Sequence, residues 1–354
     1  MTRHRSSRAR SRVGCVRVLP LLIAAWGTIG LAGCNVGAVR TSGHPPAQWV
    51  RFRHVPGVVD IAGPRRDGSF AVAAAGKLLL LESDDTLRPF ARGATGYSTP
   101  QGPEPYLALA GPTAGQGPGC SFHLDTVFAI EPTAPPGVIA VDAEGHARRF
   151  VDLPRASRLN GITFDSVGRF GHRLLVTSAG QGRTTVFAVN CDARVTTITT
   201  NAPTLEGGIT VAPSSFGGFG GDLIAPDEGS GRIVAVAPNG RSRVLVRSGL
   251  PKGGDIGVES AGFVPTSFGR TGLALVADRF SSGNRHPGTN SLLSLSGTQL
   301  MHDGAQPGDL LVASEGGAKT IIVHCTTACS VRHIADGPGV AHAEGHIVFL
   351  SSGP

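Results

Sequence analysis

From about Val58 onward the chain alternates short apolar runs of five to seven residues with Gly, Pro, Asp and Asn. This is the strand-and-turn pattern, and helical periodicity is almost absent. The block "GGITVAP", "GDLIAPDEG", "GRIVAVAPNG", "SRVLVRSG" gives four strands, a to d, ending at Gly249. The block from Leu159 repeats it with "NGITFDS", "RLLVTSAG", "TTVFAVNC" and "RVTTITT". The block from Pro103 does so with "PYLALAG", "DTVFAIEP", "GVIAVDAEG" and "ARRFVDL". An earlier block runs "VVDIAGP", "FAVAAAG", "KLLLLES", "LRPFARG", and a later one starts "ESAGFVP", "GLALVADRF", "SLLSLSG". Four strands recurring about every 44 to 56 residues mark a β-propeller blade. One blade cannot bury both faces of its small sheet, so blades stack in a ring.

The fold class expected is therefore all-β, a β-propeller of six four-stranded blades, with five or seven as alternatives. The C-terminal third is the hardest to phase. "GDLLVASEGG", "KTIIVHC" and "SVRHIADG" read as strands b to d, but no strand a is evident between Leu300 and Pro307. The final "EGHIVFL" reads as one more inner strand, closing the ring with N-terminal strands.

The first 33 residues carry a different pattern. Six arginines lie between Arg3 and Arg17, "VLPLLIAAWGTIG" follows, and "LAGC" closes the segment at Cys34. A basic region, a short apolar region and small residues form a signal peptide, and the apolar run is too short to span a bilayer. The ending in Cys resembles the bacterial lipobox, which implies that Cys34 is lipidated and becomes the new N-terminus. An ordinary secretory signal with an incidental Cys is the alternative. The domains expected are a lipoprotein signal peptide over 1–33, a lipidated Cys and tether over 34–54, and the propeller over 55–354. The implied location is the cell membrane, lipid-anchored on the extracytoplasmic side.

The formal net charge of +7 owes six units to the signal arginines, which leaves +1 for the mature chain. A pI near 9.5 is thus no sign of nucleic-acid binding. Four cysteines remain, Cys120, Cys191, Cys325 and Cys329, and an even number in an exported protein favours disulfides. "CTTAC" could also be a metal pair, although no second pair stands at zinc-site spacing.

Taken with its blade phrases, such as "FGGFGGDLIAPDEGSGRIVAVAPNG", the chain resembles the secreted six-bladed propellers of the NHL and gluconolactonase-like superfamily. On that blade phasing Cys120 falls in an a-to-b connection and Cys191 in the c-to-d connection of the next blade, on one face of the ring. Cys325 and Cys329 bracket a single c-to-d turn. The pairs expected are Cys120 with Cys191 and Cys325 with Cys329.

The start of strand a should sit at the mouth of the central channel. Around the ring that position gives Asp60, Glu104, Asn160, Glu206, Glu259 and Glu344. Hard cations such as Ca²⁺ take six to eight oxygen ligands, which such a mouth can supply. The gluconolactonase-like resemblance implies a divalent cation here, with Glu206 and Asn160 the best matches and Glu104 and Glu259 behind them. No catalytic Asp matches that family's set. A plain solvated rim is the alternative, since any inner strand that opens on water starts with polar residues. Asp227, Glu228, Asp278 and the loop "DRFSSGNRHPGTN" belong to the same face, where long loops commonly bind.

"HAEGH" would put His342, Glu344 and His346 on one side of a strand, as a transition-metal set or as an incidental polar strand end. "GPTAGQGPGC" is Gly-rich but opens no helix, so it reads as a loop. No nucleophile elbow, H-E-x-x-H, P-loop or dinucleotide fingerprint occurs. Two functions follow: a lipid-anchored binding or scaffold module for a solute, glycan or protein partner, or a metal-dependent lactonase-type hydrolase. The incomplete catalytic set favours binding and leaves catalysis undecided.

Overall fold

A computed structural model describes residues 46–91, 104–115, 120–132, 135–153 and 155–351. The expected signal peptide and Cys34 lie outside these residues. The chain opens with β1 (Ala47–Gln48) and β2 (Val50–His54), then builds four consecutive four-stranded sheets. Blade 1 is β3 (Val58–Ala62), β4 (Phe70–Ala74), β5 (Lys77–Leu81) and β6 (Leu87–Pro89). Blade 2 is β7 (Leu107–Leu109), β8 (Val127–Glu131), β9 (Gly137–Val141) and β10 (Ala147–Asp152). Blade 3 is β11 (Arg158–Phe164), β12 (Leu174–Gly180), β13 (Arg183–Val189) and β14 (Val195–Ala202). Blade 4 is β15 (Thr210–Val211), β16 (Leu223–Asp227), β17 (Arg232–Val236) and β18 (Ser242–Arg247). In each, every strand pairs antiparallel with the next in sequence.

The last two blades depart from that rule. The chain continues through β19 (Val258–Phe263), β20 (Leu273–Asp278), β21 (Ser291–Ser296), the short helix α1 (Gly297–His302), β22 (Leu310–Ser314), β23 (Thr320–Cys325), β24 (Cys329–Asp336) and β25 (Ala343–Leu350). β19 does not pair with β20. Its partner is β22, so blade 5 is β19, β22, β23 and β24. β20 and β21 take β25 as their inner strand and β2 as their outer one, which makes blade 6. The missing strand a of the "GDLLVASEGG" block is thus "ESAGFVP", and the expected blade built of Glu259, Leu273 and Ser291 segments is corrected to two interleaved blades. A single parallel bridge, Ala261 to His346, joins them.

The inner strands β3, β7, β11, β15, β19 and β25 contact one another in turn and return to β3. Six apolar clusters fill the six gaps between blades. Leu275, Leu292 and Val72 pack between blades 6 and 1, and Trp49, Val276 and Ile322 between 5 and 6. The other four gaps are filled in the same way, one with the edge-to-face ring cluster of Phe122, Phe128, Phe150 and Phe164. This explains the near-continuous apolar runs of the second strands: β4, β8, β16 and β22 are buried at every position because a blade packs on both sides. Fourth strands such as β14 and β18 lie at the edge and are largely exposed or half-buried.

The segment expected as tether, 34–54, contributes its last residues to the ring. β1 pairs parallel with β24, β2 pairs with β21, and Trp49 between them is buried, with Nε1 donating to Thr320 Oγ1 at 2.8 Å. Both expected disulfides are present, Cys120–Cys191 linking blades 2 and 3 and Cys325–Cys329 closing the β23–β24 turn. Among the described residues, no helix is long and apolar enough to cross a membrane.

Candidate functional site

One end of the central channel is lined by the first residues of the inner strands and the last residues of the second strands. The outermost groups form a chain of alternating charge. Arg158 Nη2 donates to Glu206 Oε1 at 2.6 Å and lies 3.8 Å from Glu104 Oε2. Arg279 Nη1 donates to Glu104 Oε1 at 2.6 Å and to Glu344 Oε2 at 3.2 Å. Burial pulls the Glu104 carboxyl up, but the guanidiniums of Arg279 and Arg158 hold it below its ordinary range. Glu206 goes the other way: burial, reinforced by the charges of Glu228 and Glu104, outweighs Arg158.

Deeper in, Glu344 keeps Arg279, whereas among the described residues no guanidinium pairs with Glu259 or Glu315. Tyr106 Oη, fully buried, contacts Glu259 Oε1 at 2.8 Å and Glu344 Oε1. A phenol carries one proton, so it can donate to only one of the two. The other contact requires a protonated carboxyl that donates to the phenol oxygen. Glu315 Oε1 lies 3.3 Å from His342 Nε2, and Glu344 Oε2 lies 3.7 Å from the same nitrogen. Glu315, His342 and Glu344 each offer one donor atom, all within 4.8 Å of one another. The second oxygen of Glu259 and Asn160 Oδ1 are buried with no hydrogen-bond donor, while Glu315 and Glu228 lie close enough to share a proton.

The electrostatics follow from this crowding. Burial, then the Glu344 charge and a hydrogen bond shared with Glu228, push the Glu315 carboxyl up to about 11. Burial and the Glu104 charge bring Glu344 to about 7, and burial with the charges of Glu344 and Glu315 places Glu259 well above the carboxylate range. His342 falls to about 4 through burial and the Arg279 charge, so its imidazole is neutral at pH 7. Six carboxylates, Glu104, Glu206, Glu228, Glu259, Glu315 and Glu344, thus face two guanidiniums. The excess negative charge must be met by protons or by a cation.

Glycine makes the site possible at two positions. Gly207, at φ +70°, stands where a Cβ would lie 2.3 Å from Glu259 Oε1. Gly345, at φ +68°, makes a bulge in β25 between Glu344 and His346. The bulge breaks the alternation expected for "HAEGH". His342 and Glu344 meet Glu315, whereas His346 turns to Asp60, its Nδ1 at 2.9 Å from Asp60 Oδ2.

Of the four residues expected to share a cation, Glu259 belongs to the deep cluster. Glu104 and Glu206 already have arginine partners, and Asn160 Nδ2 donates to Leu205 O. Asp60 is not at the rim. It is fully buried and accepts from Leu107 N and His346 N, both at 2.7 Å, which ties blade 1 to blades 2 and 6. Asp227 braces its own turn through Ser230, and Asp278 accepts from His342 N and Thr289 N, so both serve loops. The sequence reading missed Glu315, Tyr106, Arg158 and Arg279. Glu315 had a signal: it directly follows a second strand, close to where Glu131, Asp227 and Asp278 end theirs.

The fold and site define an all-β six-bladed propeller with a buried acid–imidazole cluster on its axis. No protein-family model matches the chain, and no curated protein does. Among solved structures, a gluconolactonase from Xanthomonas campestris is 13% identical, with a TM-score of 0.46 over 88% of this chain and 90% of that one. Virginiamycin B lyase from Staphylococcus aureus is 12% identical, with a TM-score of 0.44 over 80% and 87%. A protein of unknown function from Bacteroides thetaiotaomicron is 9% identical, with a TM-score of 0.47 over 85% and 68%. At these identities the likeness concerns the fold alone.

Proposed function

We propose that the protein is a binding module that holds a divalent cation on its axis and uses it to capture an oxygen-rich solute or glycan. The observation that carries this reading is the donor-free buried oxygen of Glu259 and the crowded Glu228–Glu315 pair beside the Glu315–His342–Glu344 cluster. Burial holds the Glu259 and Glu315 carboxyls protonated without an ion, and a cation that displaced those protons would relieve the crowding of their oxygens. Glu315, His342 and Glu344 would hold the ion, with Glu259 beside them. An imidazole with carboxylates suits Mn²⁺ or Zn²⁺ better than Ca²⁺, which prefers oxygen alone. Once bound, the ion supplies an electrophilic point for ligand oxygens. Arg158 and Arg279 hold the rim carboxylates in place, and Tyr106 fixes Glu259 and Glu344 at a set separation. Lipid anchoring at Cys34 on the extracytoplasmic side is part of the same proposal and rests on the sequence pattern.

A second reading, hydrolysis of a lactone or related ester, is favoured by the proton counting at Tyr106. A proton held between Glu259, Tyr106 and Glu344 is available to a leaving alkoxide, and the carboxylate that releases it can accept one from water. Metal analysis with thermal melting separates the readings. We expect about one divalent ion per chain and a melting temperature that rises with Mn²⁺ or Zn²⁺ concentration. Glu315→Gln should weaken that response at least tenfold in concentration. Equal melting in chelator and in millimolar Mn²⁺, Zn²⁺ and Ca²⁺ would remove the cation from both readings. Lactone turnover abolished by Glu344→Gln would favour the hydrolase.

A further inference from the structure

We infer that the acidic end of the propeller carries a separate subsite for an oxyanion, held by Arg155 and Arg183. The two residues line a cavity of about 290 Å³ with Ser157, Ser178, Thr185 and Thr200, and no carboxylate lines it. Among the described residues neither guanidinium is ion-paired. Nearby arginines are: Arg149 pairs with Asp152, Arg158 with Glu206 and Arg279 with Glu104. Two unpaired guanidiniums facing a hydroxyl-lined space supply the planar forks and neutral donors that a carboxylate, sulfate or phosphate group takes.

The local structure keeps this space open. The β12–β13 turn runs through Gln181 at φ +51° and Gly182 at φ +72°, which sends the chain straight back and pairs Arg183 with Gly180. Ser178 Oγ accepts from Ser157 N at 2.9 Å, so its own hydrogen remains to donate. At Gly180 a Cβ would lie 2.8 Å from Ser157 Oγ, and glycine leaves that hydroxyl its room.

The cavity adjoins the axial rim. Ser157 lines the cavity, while the next residue, Arg158, reaches Glu206 and Glu104 on the channel side. One molecule could therefore place oxygens on the axial cation and an acidic group between Arg155 and Arg183. The ligand class is an acidic, oxygen-rich solute or an anionic glycan. This assignment of one shared ligand rests on the reading of the axial site, whereas the anion subsite itself does not.

The test uses the full chain in chelator at constant ionic strength, titrated separately with sulfate, phosphate and glucuronate. The amide resonances of Gln181 and Gly182 are followed. At least one anion should give a saturable shift, and Arg155→Gln and Arg183→Gln should each weaken it about tenfold. A response to sulfate and phosphate identifies a tetrahedral group, and a response to glucuronate a carboxylate. No saturable shift with any of the three, or a shift unchanged by both substitutions, would overturn the subsite. Glu315→Gln should leave the anion response intact. Anion binding retained in a protein that binds no divalent ion would sink the axial reading alone.

Discussion

Blades 1 to 4 and blades 5 and 6 use the same four-stranded unit but are assembled by different rules. In the first four, each strand pairs with its successor, so a blade is a local object. In the last two, β19 finds its partner only after β20, β21 and α1 have gone by, and blade 6 gathers its strands from both ends of the described chain. Glu259, Glu315, His342, Glu344 and Arg279 all belong to this interleaved pair. The local blades contribute mainly supports: Tyr106, Arg158 and Glu104. Chemistry thus concentrates where non-local pairing holds several strand ends against one another.

The largest effect expected is from removing residues 337–354, which deletes β25. Blade 6 then lacks its inner strand, β20 faces the channel unpaired, and the contact with β3 is gone. The truncated protein should show no cooperative melting transition by circular dichroism. A cooperative melt would mean that blades 1 to 5 form a stable unit without closure.

A smaller effect compares two buried aspartates. Asp165 accepts four backbone N–H groups from its own loop, Val167 to His172. Asp60 accepts from residues 47 and 286 positions away. Asp60→Ala should cost about 3–5 kcal/mol, because His346 and the Leu107 amide are left buried without a partner. Hydrogen exchange should then quicken in blades 1, 2 and 6 together. Asp165→Ala should quicken exchange in blade 3 only. Equally local responses would show that Asp60 does not couple blades.

The smallest effect concerns pH in the absence of divalent ions. Glu315 at about 11 and Glu344 at about 7 both lie above their unfolded value of 4.5, so the folded state binds more protons. Their contribution is complete below pH 4.5 and is lost as pH rises, up to about 7 for Glu344 and about 11 for Glu315. Stability in chelator should fall as pH rises from 5 to 7, opposed only in part by His342, whose lowered pKa works the other way below 6.5. Glu315→Gln should flatten the slope and stabilise the metal-free protein at pH 8. A pH-independent denaturation midpoint in the parent protein would contradict the buried cluster.

How much of this was legible follows from the same contrast. All sixteen strands of blades 1 to 4 could be read because hairpins put each partner next in sequence, with Gly and Asn marking the turns. The strands of blades 5 and 6 were equally visible as apolar runs, but their pairing was not, since nothing in "ESAGFVP" says that "GDLLVAS" is its neighbour. The oxygen-rich residues expected at the rim divide: Glu104, Glu206, Glu259 and Glu344 gather at one end of the channel, whereas Asp60 is buried between blades. Glu206 and Glu259 stand at equivalent places in their blades, yet Arg158 reaches one and not the other. That distinction depends on where side chains meet across blades. The bulge at Gly345 likewise re-aimed His346 after the period-2 pattern had grouped it with His342.

The N-terminal strands have a mechanical meaning. Any pull on the segment before Ala47 enters the molecule at its outer edge, through β1 on blade 5 and β2 on blade 6. Between them Trp49 is seated in the gap between the two blades, its indole bonded to Thr320 and its amide to Asp336 O. Load would therefore be shared by both closing blades and borne first by a buried indole, far out along the spokes from the inner strands. A pull at that edge would load the outer strands first and reach the axis, where the carboxylates converge, last.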